Sequence, residues 1–205
     1  MEGNRKKKTG LSLLPNVGSV APSSGRKVAA HKTKVHFVKT VETPSENPTR
    51  KARKPIPKKA IQAPKALNEP YRYAKPSSFS RALQIDLKGV TILFISGTAS
   101  VDEKGRSVYI GDFRAQTWRT YHNITALLAA GGATWKEVVR TTCYLRDIER
   151  DYEAFNEIRT QFFDEQGLDP LPASTGIQAI LCRPELLVEI EAIAIFDSDR
   201  TASGQ

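Results

Sequence analysis

Residues 172–196, PASTGIQAILCRPELLVEIEAIAIF, decide the fold. Their pattern predicts two strands joined by a short turn at 183–185. The second strand carries Glu189 and Glu191 among aliphatic residues. Because they are two positions apart on a strand, their carboxylates face the same side of the sheet, about 6.5–7 Å apart. Acids in an apolar strand cost free energy unless they are paired, exposed or used, so this strand also holds the first candidates for function.

The net charge is unevenly distributed along the 205 residues. Residues 1–70 contain 16 Lys or Arg and 4 Glu, a net charge of +12, whereas the rest contributes −3 to the total of +9. Eight of the 12 prolines also lie in this segment, where apolar residues are sparse. We therefore expect a disordered basic Pro/Lys-rich tail at 1–70, a folded domain at 71–200 and a disordered C-terminus at 201–205.

Two basic clusters, at 5–8 and 50–59, mark the tail. They are compatible with an arm that contacts nucleic acid or another polyanion, with a nuclear signal, or with a solvated linker that has no specific partner. Since the positive charge lies in the tail, the basicity of the whole chain does not indicate that the domain binds nucleic acid.

Several classes of protein are disfavoured by the sequence. Cys143 and Cys182 are far apart and have no Cys-x-x-Cys partner, so neither a disulfide framework nor a zinc site is predicted. We expect no metal and no cofactor. No apolar run approaches the roughly 20 residues that cross a bilayer, and the N-terminus has no apolar signal segment. We expect a soluble, cytoplasmic protein without membrane contact.

Strands and helices alternate from residue 81 onward. Strands are predicted at 81–87, 90–96, 138–145 and within 172–196, with a brief edge strand at 108–110, and helices at 112–130 and 151–166. In the order β-β-(β)-α-β-α-β-β, both helices can cover one face of a mixed sheet, which is an α+β fold. The other face carries Leu187, Ile193 and Ile195 beside the two glutamates and stays bare, which predicts oligomerisation.

From about residue 79 to 196 the chain resembles the Rid/YjgF family, the reactive-intermediate deaminases once called L-PSP endoribonucleases. The matching pieces occur in order: Phe94-Ile-Ser-Gly97, Gly111-Asp-x-x-Ala-Gln116, Glu137-Val-Val-Arg-Thr-Thr142, Tyr144-Leu-Arg-Asp147, Tyr152-x-x-Phe-Asn156, Pro172-Ala173 and Val188–Ala194. The resemblance implies a chorismate-mutase-like fold. It also implies a homotrimer whose sheets form a central barrel, with small-molecule clefts between the subunits.

The resemblance also points to site residues. The family's carboxylate-binding arginine, two residues after the proline, corresponds here to Ser174, whose hydroxyl cannot imitate a bidentate guanidinium. The family's tyrosine near the first strand corresponds to Phe79. Gly97, Asn156 and Glu189 keep the family residue, and the resemblance suggests that Glu189 orients or activates water.

Further candidates surround these positions. Ser174 and Thr175 could hydrogen-bond a ligand or only satisfy strand ends. Arg183 could reach an anion in the cleft, or it could be solvated or paired with Glu185. Glu191 is interpreted as architectural.

Four segments, 78–82, 96–100, 174–176 and 182–191, are similar to the C-terminal half of chorismatases, where the glutamate matching Glu189 is thought to be the catalytic acid. Those hydrolases carry a second folded half before this one, where this chain has its basic tail, and this departure argues against chorismate hydrolysis.

Two hypotheses for the function follow. The first is an enzyme that processes a small imine, carbonyl or enol-ether (chorismate-like) substrate in an intersubunit cleft, with Glu189 as acid/base; without the family arginine, 2-imino acid deamination is the less expected reaction. The second is a non-catalytic trimer that binds a metabolite or scaffolds a partner, while its basic tails contact nucleic acid or another polyanion.

Overall fold

The computed structural model describes residues 54–198. The predicted polyanion contacts of the tail, and the disorder predicted for 1–53 and 201–205, therefore lie outside the described residues. The elements in chain order are β1 (Lys59–Ile61), β2 (Ala82–Leu87), β3 (Val90–Ala99), α1 (Phe113–Ala130), β4 (Val138–Leu145), α2 (Ile148–Glu165), β5 (Ala173–Gln178) and β6 (Val188–Asp197). Short 3₁₀ turns form at Pro70–Arg72 and Trp135–Glu137.

The strands form one mixed sheet in the order β1-β2-β3-β6-β4-β5. Only the β4–β5 pair is parallel, and the other neighbours are antiparallel. The predicted α+β fold, with two helices and a mixed sheet, is confirmed. The sheet of this single chain is open at β1 and β5, so the trimeric barrel stays a prediction.

An aspartate caps the N-terminus of each of the two helices. The side chain of Asp112 accepts a hydrogen bond from the backbone N–H of Ala115 at 2.9 Å, as the sequence predicts for a helix N-cap. The side chain of Asp147 does the same for Arg150 at 3.1 Å. The second helix therefore begins at Ile148, three residues earlier than expected.

The core lies between the helices and one face of the sheet. Val188, Ile190, Ala192 and Ala194 alternate along β6 and are at most 1% exposed. They pack with helix residues in a cluster whose centre is aromatic, where the rings of Tyr121 and Phe162 stack at 4.4 Å between centroids. The intervening β6 residues, Glu189 among them, therefore face away from the helices.

The predicted hairpin between the two strands of 172–196 is wrong. The first of these strands, β5, pairs in parallel with β4, while β6 lies between β3 and β4. The crossover through α2 returns the chain beside β4 in the same direction, and alternation of side chains does not reveal which strands are neighbours. The turn at 183–185 is part of a longer connection.

This connection, residues 179–187, is held in place by two side chains of the domain. Arg146 donates to the backbone oxygens of Arg183 and Leu186, at 2.6 and 2.5 Å. The Gln116 amide donates to Glu185 O and accepts from Leu187 N, both at 2.9 Å. The loop that precedes β6 is therefore anchored at both ends of the turn.

The predicted domain boundary at residue 70 is too late. β1 pairs with β2, and Ile61 and Leu67 are 3% and 0% exposed in the core. These two residues anchor the segment in the core, and the composition averaged over 70 residues did not reveal them. The edge strand predicted at 108–110 is also absent, because Tyr109 adopts a positive φ of 57° in a turn.

The face of the sheet turned away from the helices is partly apolar. Phe94 on β3 and Ile195 on β6 are 41% and 42% exposed. Glu191 and Ile193 share this face because they alternate with the core residues of β6. Leu187, expected on the same face, instead lies before β6 and packs against the core. We call the surface formed by Phe94, Glu191, Ile193 and Ile195 the open face.

Candidate functional site

Four of the predicted site residues line one cavity of about 410 Å³: Phe79, Gly97, Arg183 and Glu189. These residues come from the segment before β2, from β3, from the β5–β6 connection and from β6. Although they are distant in the sequence, the antiparallel pairing of β3 with β6 brings Gly97 and Glu189 together. We refer to this space as the Glu189 cavity.

A bulge in β3 makes room for the Glu189 carboxyl group. Ile95 pairs with Ala192 and Thr98 pairs with Ile190, so β3 has one residue more than β6 over this interval. Gly97 lies in the bulge, and a Cβ atom there would overlap Glu189 Oε1. The glycine of the Phe94-Ile-Ser-Gly97 motif is therefore needed because the carboxyl group occupies the space of a side chain.

Burial raises the pKa of Glu189, which favours the protonated carboxyl group over the carboxylate. The positive charge of Arg81 acts against this rise in pKa, and Glu191 adds to it. Glu189 thus lies in a cavity and keeps its proton to a higher pH than an ordinary glutamate. A shifted pKa in a cavity is typical of groups that exchange protons with a ligand.

Arg81 is a charged cavity residue that was not among the site residues predicted from the sequence. It is 5% exposed, and its guanidinium carbon lies 5.4 Å from the ring centroids of both Phe79 and Tyr73. Its Nε donates to Asn68 O at 3.3 Å, and its Nη2 donates to the Tyr73 hydroxyl. A signal was present, since Arg81 belongs to the segment 78–82 that resembles chorismatases.

Arg183 serves the fold as well as lining the cavity. Its Nη1 donates to Gly105 O at 2.7 Å and to Ser107 Oγ at 3.2 Å. Glu185 accepts from the same Ser107 hydroxyl at 2.8 Å, which lowers the pKa of Glu185. Arg183 and Glu185 are therefore joined through Ser107, not as a direct ion pair.

Residues 73–196 match the family described as Endoribonuclease L-PSP. The chain belongs to this family. The Rid/YjgF family predicted from the sequence motifs is thereby confirmed.

Relatives of this L-PSP family protein carry several names. A RutC family protein of Pyrococcus horikoshii is 33% identical over 108 residues, which are 53% of this chain and 82% of that protein. The 3-aminoacrylate deaminase RutC of Acinetobacter baylyi is 33% identical over 52% of this chain and 81% of its own length. Protein DfrA of Myxococcus xanthus is 36% identical over 146 residues, 71% of this chain and 98% of that protein.

Solved structures resemble the same domain. The crystal structure of E. coli TdcF with bound serine has a TM-score of 0.55 and 25% identity, and it covers 67% of this chain and 98% of its own. The E. coli YjgF gene product has a TM-score of 0.54 with the same identity and coverage.

Three predicted site residues of the L-PSP family protein lie outside the Glu189 cavity: Asn156, Ser174 and Thr175. Adjacent residues on a strand face opposite sides, so Ser174 and Thr175 diverge. Thr175 Oγ1 accepts from Arg140 Nη2 at 3.2 Å. Asn156 lines a shallow depression along α2, and a single-chain cleft that contains all the predicted ligand contacts is therefore not formed.

A second guanidinium, Arg159 on α2, joins two of these outlying residues. Its Nη1 donates to Ser174 Oγ at 3.3 Å, and its Nη2 donates to Asn156 Oδ1. Ser174 Oγ also accepts from Thr141 Oγ1 at 3.1 Å. We call Asn156, Arg159 and Ser174 the α2–β5 cluster, which has a guanidinium beside the position where the family's arginine would lie on β5.

Within residues 54–198, no group of three or more His, Cys, Asp or Glu side chains is placed to hold a metal ion. No helix in the described part of the chain is long and apolar enough to cross a membrane. Cys143 is buried and Cys182 is exposed, and both are free thiols.

Proposed function

We propose that this protein is an enzyme that hydrolyses or otherwise processes a small imine, carbonyl or enol-ether substrate, with Glu189 as the general acid and base. One observation carries the proposal: a half-buried carboxyl group with a raised pKa lies in a cavity where a bulge and a glycine leave room for it. The deaminase name of the RutC relative supports the imine as the substrate class.

Glu189 can serve both halves of an imine hydrolysis. As the acid it protonates the imine nitrogen, and as the resulting carboxylate it takes a proton from the water that attacks the carbon. Glu189 then returns its proton to the carbinolamine nitrogen, the C–N bond breaks and ammonia leaves, and the carboxylate takes the hydroxyl proton as the carbonyl forms. The raised pKa brings the acid and base forms closer to equal populations near neutral pH, which suits a group that must act in both roles.

A neighbouring copy would complete the cleft. The open face exposes Phe94 and Ile195 and is suited to burial against a second copy. In a homotrimer joined by this face, we propose that the α2–β5 cluster of one subunit approaches the Glu189 cavity of the next. Arg159 would then present a guanidinium from α2 in place of the arginine that Ser174 replaces.

Turnover by variants tests the proposal. The purified protein is assayed on imines generated from 2-aminoacrylate and on chorismate, with Glu189→Gln as the test and Glu191→Gln as the matched control. We expect turnover of at least one substrate by the wild type and by Glu191→Gln, and its loss in Glu189→Gln. Equal inactivity of the wild type and Glu189→Gln on every substrate refutes the enzymatic function.

A non-catalytic protein is the second candidate. Ser174 at the family's arginine position favours it, since a trimer that binds a metabolite or scaffolds a partner needs no reaction. Its basic tail would contact nucleic acid or another polyanion, and multiple tails in one assembly would strengthen weak contacts. Removing residues 1–53 is then expected to reduce polyanion affinity and its salt dependence, and unchanged values reject the contact. A cytoplasmic location fits the two free thiols.

A further inference from the structure

The guanidinium of Arg81 lines the Glu189 cavity and has N–H groups that donate no hydrogen bond to the described residues. Nε and one proton of Nη2 are engaged by Asn68 O and the Tyr73 hydroxyl. No residue within 54–198 accepts from Nη1, and no carboxylate oxygen of the described chain lies within 4.0 Å of the guanidinium. Both protons of Nη1 and one of Nη2 therefore remain for a ligand, in the forked geometry that suits a carboxylate.

The charge of the cavity favours an anion. Two arginines, Arg81 and Arg183, and one acid, Glu189, are its charged lining residues. Burial raises the pKa of Glu189, so the lining becomes more positive when this group binds a proton. Phe79 and Leu186 add apolar surface, which suits a ligand with a flat or unsaturated body.

The guanidinium is positioned by a segment that lies almost entirely before the family region of 73–196. This segment, residues 59–73, begins with β1 and is anchored in the core by Ile61 and Leu67. Arg119 also fixes it from α1, because Nη2 donates to Ala66 O at 3.0 Å and Nε donates to Val101 O at 3.2 Å. We call residues 59–73 the N-terminal strap.

Three strap residues contact Arg81 directly. Asn68 and Tyr73 accept from its guanidinium, and the Tyr73 hydroxyl in turn donates to Asn68 O at 2.8 Å. Glu69, which is 1% exposed, accepts from the backbone N–H of Arg81 at 3.3 Å. The strap therefore orients the arginine without neutralising the guanidinium through a direct ion pair.

We propose that Arg81 anchors a ligand carboxylate in the Glu189 cavity and that the N-terminal strap is the element that holds this anchor in place. The ligand class is a small carboxylic acid with an apolar or unsaturated body. The inference rests on the proposed function for the identity of the cavity, but it concerns binding, which is measured separately from turnover.

Calorimetric titration of the full-length protein with benzoate and with benzamide tests the anchor. The two probes share a ring and differ in charge, so we expect benzoate to bind and benzamide to bind at least about tenfold more weakly. Arg81→Met is expected to weaken benzoate by about tenfold or more and to leave benzamide unchanged. Equal affinities for the two probes, no benzoate binding by the wild type, or benzoate binding unaffected by Arg81→Met overturns the proposal.

Tyr73→Phe keeps the test decisive if Arg81→Met does not fold. It removes only the hydroxyl that orients Nη2, and we expect benzoate affinity to fall about threefold to tenfold. Tyr71→Phe is the matched control and should leave benzoate affinity unchanged, since Tyr71 is exposed and its hydroxyl accepts from Gln62 Nε2 at 3.1 Å. Equal benzoate affinity in Tyr73→Phe and Tyr71→Phe overturns the role of the strap.

Glu189→Gln separates the anchor from the catalytic proposal. We expect this variant to lose turnover and to keep benzoate binding, because the anchor lies on a different residue. If the turnover assay shows no activity but Arg81→Met still abolishes benzoate binding, the proposed reaction fails and the carboxylate site stands. If turnover depends on Glu189 but benzoate binding does not depend on Arg81, the anchor alone fails.

Discussion

Replacing Gly97 with Ala adds one methyl group at the point where the Glu189 carboxyl group lies against β3. The backbone of Gly97 needs no positive φ, so any cost comes from the contact and not from backbone strain. Since the new Cβ would overlap Glu189 Oε1, the carboxyl group must rotate away or the bulge must move. Overpacking of this kind costs about 1–3 kcal/mol of unfolding free energy.

Urea unfolding of four proteins measures this contact: the wild type, Gly97→Ala, Glu189→Ala and the double variant. The obstructing carboxyl group is absent in the Glu189→Ala background. We therefore expect the loss of unfolding free energy caused by Gly97→Ala to be at least about 1 kcal/mol smaller there than in the wild type. Gly176→Ala is the matched control on β5. Its Cβ would meet only Tyr152 Cε2 at 3.8 Å, an ordinary contact, so its stability should stay within about 1 kcal/mol of the wild type.

The reasoning is refuted if the effects of Gly97→Ala and Glu189→Ala on the unfolding free energy are additive. If Gly97→Ala destabilises equally with and without the Glu189 side chain, the two residues are not in contact and the bulge was not shaped by the carboxyl group. If Gly97→Ala behaves like Gly176→Ala, the cavity has more free space at β3 than the structure shows. We also expect Gly97→Ala to reduce any turnover that depends on Glu189, because the acid is displaced.

Three more predictions concern other parts of the fold. The raised pKa of Glu189 means that the folded state binds this proton more tightly than the unfolded state does. As pH rises from the ordinary pKa of 4.5 through the folded pKa, the wild type should therefore lose stability relative to Glu189→Gln. Parallel curves of unfolding free energy against pH for the two proteins contradict this. Leu67→Ala should lower the unfolding free energy by about 2–5 kcal/mol, whereas Ile56→Ala, at an exposed position, should leave it unchanged; a harmless Leu67→Ala means that the strap is not part of the core. Ile195→Lys on the open face should shift the proposed homotrimer toward monomer in sedimentation velocity, and a distribution unchanged from that of the wild type rejects that face as the interface.

The predictions from sequence succeeded where a side-chain pattern decides the structure. The alternation around Glu189 and Glu191 gives a strand with one apolar face, and β6 forms it. The same alternation does not reveal which strands are neighbours in the sheet. For this reason β5 was predicted to pair with β6, whereas it lies beside β4. Strand order depends on the direction in which α2 returns the chain, a property of the whole crossover and not of local residues.

The site was predicted only in part, for two physical reasons. Glu189 was predicted because an acid in an apolar strand is a local anomaly, and Gly97 was predicted from the resemblance to the Rid/YjgF family. Arg81 was missed because its burial depends on Asn68 and Tyr73, in or next to a segment whose average composition indicated a tail. The strand geometry itself could have warned that Ser174 and Thr175 diverge, since consecutive residues on a strand never share a face.

Glu189 and Glu191 differ in their surroundings because of the segments packed against β6, not because of β6 itself. Both acids share one face, and the extra residue of β3 lies opposite Glu191, between the pairs Ile95–Ala192 and Thr98–Ile190. Glu189 pairs with Ala99 beyond the bulge, and its Oε1 reaches back toward Gly97. The Glu189 cavity forms where the segment before β2 and the β5–β6 connection cover Glu189, with Phe79, Arg81 and Arg183 in its lining. Glu191 lies on the open face, in a depression lined by strand residues such as Phe94 and Ser96. It is directly opposite Thr142 and close enough to Tyr144 to raise the pKa of that phenol further after burial has raised it. The segments that cover the end of the sheet at Glu189, and not the spacing of the two acids along β6, thus give two similar carboxylates different environments.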